Sequence, residues 1–418
     1  MASQQPPRRR LRLRLRLPPT ANPQAPAAAT TIHDLSADLL LDIFLRLPSL
    51  PSLVRAALTC RSFLAAVRCS PAFRRSFREL HQPPLLGLFF DPDGPDAPSF
   101  APLRRRSDPS LAAAVRGADF FLTRVPAADD ASPSWEILDC RGGYLLLVSW
   151  GSEQIYAYSP VTRALDLIPM PPDDIAEGSD GEFVYHGFHM VSSDEVPWSF
   201  RVVCLCFDAT QVRAAVFSSA TREWRVLPWV EPAPEQQADD QYWLQRSTQV
   251  NGSLYLAHAD QAYMVVLDTA TMQFSCIDLP DQLEGRGHLY RAGETKDGKL
   301  CIVCAIHFNL FVWYRRAGAD GVDKWALNRI FALEGEVLEA TGGSSDEHGA
   351  LKVLDIMDGI VYLSTSETLK DASLPCWFLT FCLETSKLEK LFHKLNDSYV
   401  HPYSMAWPPS LVADIVNP

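Results

Sequence analysis

The sequence predicts a multidomain protein in which a short helical domain precedes a larger all-β domain. Helix start and stop signals recur at short intervals through residues 32–77, whereas the chain from Trp135 onward consists of short apolar runs that begin at Gly turns. Residues 1–30 are of low complexity, rich in Pro and Ala, with Arg and Leu alternating near their middle. We therefore divide the chain into a disordered basic tail (1–30), a helical domain (31–80), a transitional segment with candidate first strands (81–134) and a β domain (135–418).

Charge is unevenly distributed along the 418 residues, whose formal net charge is −12. The first seventeen residues contain six Arg and no acidic residue, and residues 31–80 contain seven Arg against four acidic residues. The rest of the chain must therefore be strongly acidic. Because neutralising phosphates needs clustered Lys and Arg, this composition disfavours nucleic acid and favours protein or small-molecule partners.

The compartment expected from the sequence is the cytosol or the nucleus. The longest apolar run, residues 301–313, is too short to span a bilayer, and no apolar core of a signal peptide follows the basic start. The ten Cys are scattered without the spacing of a disulfide framework, which favours reduced thiols.

The first predicted helix begins after Ser36, a good N-cap, with Asp38 in its first turn. Pro48 and Pro51 are predicted to stop it, and Ser52 to cap a second helix. Apolar residues occupy almost the whole circumference of this first helix, unlike those of a surface helix with one apolar face. A segment this short cannot bury so much apolar surface within itself, so we expect part of it to contact another protein.

A further helix is predicted after Ser70-Pro71, a cap followed by Pro at the first helical position. With this helix the whole segment resembles an F-box. The residues that carry the resemblance, and that it implies contact an adaptor of the Skp type, are Leu35, Ser36, Leu39, Leu40, Ile43, Phe44, Leu47, Leu53, Val54, Cys60 and Phe63. The sequence departs from the family pattern at Ser36, Ala37, Thr59 and Phe63, which leaves the strength of that contact open.

The β domain contains a repeated unit, in which a Gly turn opens an apolar strand and a Thr-containing turn precedes a large apolar residue. The Gly turns lie at Gly143, Gly252, Gly298 and Gly359, and the Thr turns at Thr162, Thr221, Thr271 and Thr385. The first three Thr are 59 and 50 residues apart. Copies at about this spacing predict a β-propeller-like domain of four-stranded blades, with the large apolar residue between sheets; the number of blades stays open.

The unit also resembles the kelch-like, F-box-associated repeats of plant F-box proteins. Residues 159–163 are similar to their Asn-Pro-x-Thr-Arg turn, and residues 402–411 to their closing segment. A β-sandwich or two smaller β domains is the alternative interpretation. Short strands are also predicted at residues 85–90 and 120–125.

Residues with the potential for chemistry are few. Cys301 and Cys304 fall in a predicted strand on opposite faces, which indicates core thiols rather than a zinc site. His186 and His189 have the spacing of a ligand pair but lack a carboxylate in a metalloprotease arrangement. We therefore predict no catalytic residue, no metal and no cofactor.

The resemblances imply a non-catalytic subunit that recognises substrates for an SCF-type cullin–RING ubiquitin ligase, bound to a Skp-type adaptor and, through it, to cullin and RING proteins. Two alternatives stay open: a propeller enzyme acting on carbohydrate, and a protein-binding scaffold outside any ligase. The target is not identifiable from sequence. Four Trp are candidates either for exposed target contacts or for the core: Trp150, Trp198, Trp229 and Trp243.

Overall fold

The computed structural model describes residues 35–81, 83–91, 98–103, 109–126, 135–179, 181–193, 196–232, 243–317, 323–343, 350–365, 376–394 and 400–412. The predicted tail lies outside these residues. Four helices come first: α1 (Ala37–Leu45), α2 (Leu50–Ala57), α3 (Arg61–Arg68) and α4 (Pro71–Leu80). Two more are α5 (Pro109–Gly117) and α6 (Glu334–Thr341). No helix within the described ranges is long and apolar enough to cross a membrane.

Two of the predicted helix starts are confirmed. The Ser36 hydroxyl accepts a hydrogen bond from the Leu39 amide at 3.3 Å, and the Ser70 hydroxyl accepts one from the Phe73 amide at 3.2 Å. The start of α2 was predicted wrongly, since Ser49 rather than Ser52 is its cap. Pro51 lies in the first turn of α2, where its missing N–H breaks no helical hydrogen bond.

The rest of the described chain forms a ring of six antiparallel sheets, a six-bladed β-propeller. Blade 1 contains β3 (Glu136–Arg141), β4 (Tyr144–Ser149), β5 (Gln154–Ser159) and β6 (Ala164–Ile168). Blade 2 contains β7 (Val184–Ser193), β8 (Val196–Phe207), β9 (Val212–Ser218) and β10 (Glu223–Val226). Blade 3 contains β11 (Leu244–Val250), β12 (Ser253–His258), β13 (Tyr263–Asp268) and β14 (Gln273–Asp278).

The last three sheets complete the ring. Blade 4 contains β15 (Tyr290–Glu294), β16 (Leu300–Ile306), β17 (Asn309–Ala317) and β18 (Asp323–Ala332). Blade 5 contains β19 (Lys352–Met357), β20 (Ile360–Ser364), β21 (Cys376–Cys382) and β22 (Lys387–Lys394). The closing blade has three strands within the described residues: β1 (Leu85–Phe90), β2 (Ser99–Pro102) and β23 (Val400–Ser404).

The closing blade joins the two ends of the β domain. β23 pairs antiparallel with β1, so that Leu85 lies opposite Ser404 and Phe90 opposite Val400. The predicted first strand at residues 85–90 is thereby confirmed. The pairing covers an edge of β1 and an edge of β23, and it holds the two ends of the β domain in one blade.

The predicted turns are the hairpins of the blades. The four Gly turns connect the first and second strands of blades 1, 3, 4 and 5, and each of these Gly has a positive φ. Gly143 also has no room for a side chain, because a Cβ there would meet Ala406 at 2.3 Å. The four Thr turns connect the third and fourth strands, as the repeat predicted.

Two Trp side chains hold neighbouring blades together at their outer strands. The Trp224 indole N–H on β10 donates to the Pro169 carbonyl at 2.8 Å, at the end of blade 1. The Trp325 indole N–H on β18 donates to the Asp278 carbonyl at 2.8 Å, at the end of blade 3. Trp224 is the large apolar residue that follows Thr221 by three positions, and Trp325 takes the same place in the unit without a Thr. The prediction that this position of the repeat packs between sheets is confirmed for both residues.

The predicted strand at residues 120–125 was wrong. This segment forms turns, because the Asp119 carboxylate accepts hydrogen bonds from the amides of Thr123 and Arg124 and from the Tyr158 hydroxyl. The turns carry Phe120 into the core between the closing blade and blade 1, where its ring stacks on Phe100 at 3.8 Å.

The helical domain is packed onto the end of the propeller chain. Trp407, Leu411 and Val412, which follow β23, lie in the same apolar core as the buried side chains of α1–α4. The Trp407 ring meets Phe77 edge to face at 5.9 Å, and the Arg78 guanidinium lies 5.1 Å from its centre. The helical domain thus has a fixed position relative to the closing blade.

The ring has two faces, defined by the ends of its strands. The helix-side face is the end where β1 begins at Leu85 and β23 ends at Ser404. The open face is the opposite end, where β1 ends at Phe90 and β3 begins at Glu136, since Asp91 accepts a hydrogen bond there from the Ile137 amide at 3.0 Å.

Replacing Phe120 by Ala should destabilise the closing blade. The ring is 7 % exposed, and its removal leaves a cavity among packed aromatics, so we expect a loss of about 3–5 kcal/mol in the free energy of unfolding. Denaturant unfolding measures this loss. The matched control is Phe121→Ala, since Phe121 is 90 % exposed and should change stability by less than about 0.5 kcal/mol. Equal stability of the two variants would contradict the packing described for Phe120.

Candidate functional site

The helical domain presents an apolar surface on α1. Leu39 is 53 % exposed and Ile43 is 42 % exposed, one helical turn apart. Ser36 beside them is also exposed, and its hydroxyl accepts the N-cap hydrogen bond from the Leu39 amide. These three residues are the predicted adaptor contacts that the structure places fully at the surface.

The other predicted contacts lie deeper. Four are buried in the core of the helical domain and support the helices from within: Leu40, Phe44, Leu53 and Phe63. Four are half-buried at its edge: Leu35, Leu47, Val54 and Cys60. The nearly complete apolar circumference of α1 therefore has two causes, an inner stripe that packs on α3 and α4 and an outer stripe that remains exposed.

A second candidate site is the central channel of the propeller, a cavity of about 520 Å³ lined by inner strands of blades 1, 2, 3 and 5 and of the closing blade. Its lining includes Glu136, Val184 and Val400, the first residues of β3, β7 and β23, so the cavity reaches the open face. This volume falls in the range of small-ligand and side-chain pockets.

Carboxylates in the channel wall are used to hold blades together. Asp139 on β3 accepts hydrogen bonds from the Met190 amide of blade 2 at 2.6 Å and from the Cys140 amide at 2.8 Å. Asp91 accepts from the Ile137 amide and lies 3.1 Å from the His401 imidazole. The wall is therefore acidic, but these acids already serve as acceptors within the fold.

The two His of the predicted ligand-like pair lie on β7 in this wall. Burial lowers the pKa of His186 to about 3, with a smaller effect in the same direction from His189. His189 Nε2 lies 2.7 Å from the Ser247 hydroxyl on β11. Among the described residues no group of three or more His, Cys, Asp or Glu is placed to hold a metal ion.

The predicted core thiols are confirmed as such. Cys301 and Cys304 are both buried on β16, and they pack into two different apolar cores on opposite faces of the strand. Burial raises the pKa of the Cys301 thiol to about 12 and that of Cys304 to about 11, so neither is a ready thiolate.

An aromatic cluster borders the cavity on the open face, at the seam between blades 1 and 2. It consists of Trp150, Phe183, Tyr185 and Trp229, with successive ring centres 6.4, 4.8 and 6.4 Å apart in the pairs Trp150–Tyr185, Phe183–Tyr185 and Phe183–Trp229. Trp150 is 46 % exposed and Tyr185 is 37 % exposed. These two rings reach solvent together.

Of the four Trp considered from sequence, Trp150 is exposed and Trp229 half-buried, whereas Trp243 is fully buried. The Trp243 indole N–H donates to the Asp208 carbonyl at 2.7 Å, so this residue belongs to the core. The side chain of Trp198 lies outside the described residues. Sequence reasoning missed Phe183 and Tyr185, which carry no turn or motif signal.

Helices packed beside a six-bladed propeller define the class of this protein, a propeller with an N-terminal helical domain. Residues 136–411 match the family model described as "F-box protein AT5G49610-like, beta-propeller". This match covers more than half of the chain, and the protein belongs to that family. The comparison with curated protein sequences found no match.

Several solved structures resemble the chain at low identity. A chain of a nidogen/laminin complex has a TM-score of 0.38 and 13 % identity over 75 % of this chain and 96 % of its own length. A protein of unknown function from Bacteroides caccae has a TM-score of 0.41 and 10 % identity over 77 % and 99 %. An oligogalacturonate lyase in complex with manganese has a TM-score of 0.33 and 12 % identity over 59 % and 61 %.

The buried His186 should make stability depend on pH. A His titrates near 6.5 in the unfolded chain but near 3 in the fold, so the unfolded state binds more protons between these values and stability falls as pH drops. Replacing His186 by Asn should remove about 2 kcal/mol of the stability difference between pH 7 and pH 5. Thermal melts at both pH values measure this. The exposed His288, replaced by Asn, is the control and should leave the difference unchanged.

Proposed function

We propose that this protein is the substrate-recognition subunit of an SCF-type cullin–RING ubiquitin ligase. In this role α1–α4 dock a Skp-type adaptor, which connects to cullin and RING proteins, and the propeller holds a target protein for ubiquitylation in the cytosol or nucleus. The observation that carries the proposal is the exposed apolar pair Leu39 and Ile43, on a helical domain attached to a propeller of an F-box family.

The exposed pair has the character of a protein contact. Leu39 and Ile43 are each about half exposed, so a partner that buries the rest of their surface gains about 1 kcal/mol from each. The exposed Asp38 and Asp42 flank them, and a polar rim around an apolar centre is typical of protein interfaces. The inner stripe of Leu40 and Phe44 fixes the helix that presents the pair.

The attachment of the helical domain suits such a ligase subunit. Trp407 and Arg78 join the helices to the closing blade, so a target on the propeller would stand at a defined distance from the adaptor. A target held in this way reacts with a charged conjugating enzyme through its raised effective concentration, and this chain need not make or break bonds.

The two candidate sites also lie at opposite faces of the ring. The helical domain occupies the helix-side face, and the cavity with the aromatic cluster occupies the open face. An adaptor bound to α1 therefore leaves the open face accessible to a target.

Replacing Ile43 by Asp should abolish adaptor binding. The change places an unpaired carboxylate in a desolvated contact, which costs at least about 3 kcal/mol and lowers affinity by roughly a hundredfold or more. Because Ile43 is exposed, the helical domain should keep its fold. Co-purification with a Skp-type adaptor, together with circular dichroism, measures both expectations.

The matched control is Asp42→Ala, on the neighbouring exposed position, which should bind the adaptor normally. Full adaptor binding by a folded Ile43→Asp variant would contradict the proposed interface. A scaffold outside any ligase would bind the adaptor through the same pair but would not co-purify cullin, so the presence of cullin separates these two functions.

One observation favours a second function, that of a propeller hydrolase. The Ser247 hydroxyl and His189 imidazole, 2.7 Å apart in the cavity wall, have the spacing of a nucleophile and its general base. A fluorophosphonate probe tests this pair, since it labels activated serines. Labelling of wild type that is lost in Ser247→Ala would favour the hydrolase, and we expect none.

A further inference from the structure

We propose that Trp150, Tyr185 and the acidic cavity mouth beside them form a docking site for a basic, arginine-containing segment of a target protein. This inference rests on the proposed function, because it names the class of target that the propeller would hold. Three features of the open face suit such a segment: exposed aromatic rings, carboxylates next to those rings, and the net charge of the cavity that they border.

The aromatic rings offer a surface for a guanidinium. Trp150 and Tyr185 stand 6.4 Å apart and both pack on the buried Phe188 at 6.4 and 5.9 Å, so their positions are fixed before any partner arrives. Within the described part of the chain no Arg or Lys lies over the Trp150 ring. Exposed, fixed aromatic rings bind cations at low entropic cost.

The same cluster already holds one guanidinium from its own chain. The Arg213 guanidinium lies 4.9 Å from the centre of the Trp229 ring and donates to the carbonyls of Asp174, Ile175 and Glu177. This arrangement shows how Trp and backbone carbonyls at this face accommodate an Arg. The Trp150 ring is exposed, and among the described residues no guanidinium lies over it.

Carboxylates surround the exposed rings. The Trp150 indole N–H donates to Glu136 Oε2 at 2.8 Å, which holds an exposed carboxylate at the edge of the ring. Burial raises the pKa of Tyr185 to about 12, with smaller effects from Cys204 and Cys206 and the smallest from the exposed Asp173. An Arg over Trp150 would therefore meet a carboxylate that it can bind with two N–H groups.

The charge of the cavity favours a basic occupant over an acidic one. Its lining carries four carboxylates, those of Asp91, Glu136, Asp139 and Asp355, against the single guanidinium of Arg141. His186 stays neutral because its pKa is lowered to about 3. An acidic segment would meet net repulsion here, whereas a basic segment would be attracted on approach.

The test measures the binding of short peptide libraries to the immobilised full-length protein. Each library has one fixed central residue, Arg, Lys, Glu or Leu. We expect the Arg library to bind best and the Glu library worst. Trp150→Ala should weaken binding of the Arg library by about tenfold. Glu136→Gln should weaken it and reduce its dependence on salt. The exposed Phe121→Ala, on an aromatic outside the cluster, should bind as wild type does.

Equal binding of the Glu or Leu library, or unchanged binding by Trp150→Ala, would overturn the proposal. Adaptor co-purification is measured on the same proteins and separates this inference from the proposed function. If the adaptor binds and the Arg library does not, the docking site fails while the ligase role stands. If the Arg library binds and the adaptor does not, the ligase role fails while the basic-segment site stands.

Discussion

The antiparallel pairing of β1 with β23 is the constraint on which the whole ring depends. It brings together residues 310 positions apart, such as Asp91 and His401, and it covers the edges that β1 and β23 would otherwise leave unpaired. The chain that follows β23 then runs directly into the core of the helical domain through Trp407 and Leu411. Closing the ring and attaching the helices are thus one local arrangement, so disturbing it affects both domains together.

This arrangement also fixes where the two candidate sites lie. The helices adjoin the helix-side face, and the channel reaches the opposite face. Along the channel wall, Asp139 and Asp91 accept amide hydrogen bonds that tie neighbouring strands, so acidic residues collect around the cavity for structural reasons.

The sequence predicted the features that depend on a few neighbouring residues. The caps of α1 and α4, the Gly and Thr turns, and the Trp positions of the repeat all have local causes. The blade number has no such local cause. The inner hairpin of blade 2 lacks the Gly turn, and the closing blade combines strands from both ends of the β domain. Likewise Leu39–Ile43 and Leu40–Phe44 are adjacent stripes with identical spacing. Only the packing of α3 and α4 decides which stripe is buried, and no local signal reports that packing.

Rigidity at the seam between blades 1 and 2 determines how a target would be presented. Phe188 and Met190 of β7 pack against Leu146 and Val148 of β4 in one core, and the Met190 amide binds Asp139 across the same seam. A segment that bridges Trp150 and Tyr185 would therefore contact two blades that cannot move apart without breaking this core. We therefore expect that binding of a segment at this seam does not shift the helices, and that the propeller acts only by holding the bound segment in place. In the proposed ligase role, how far a target lysine could reach toward the conjugating enzyme would depend on the length of the target beyond its docked segment.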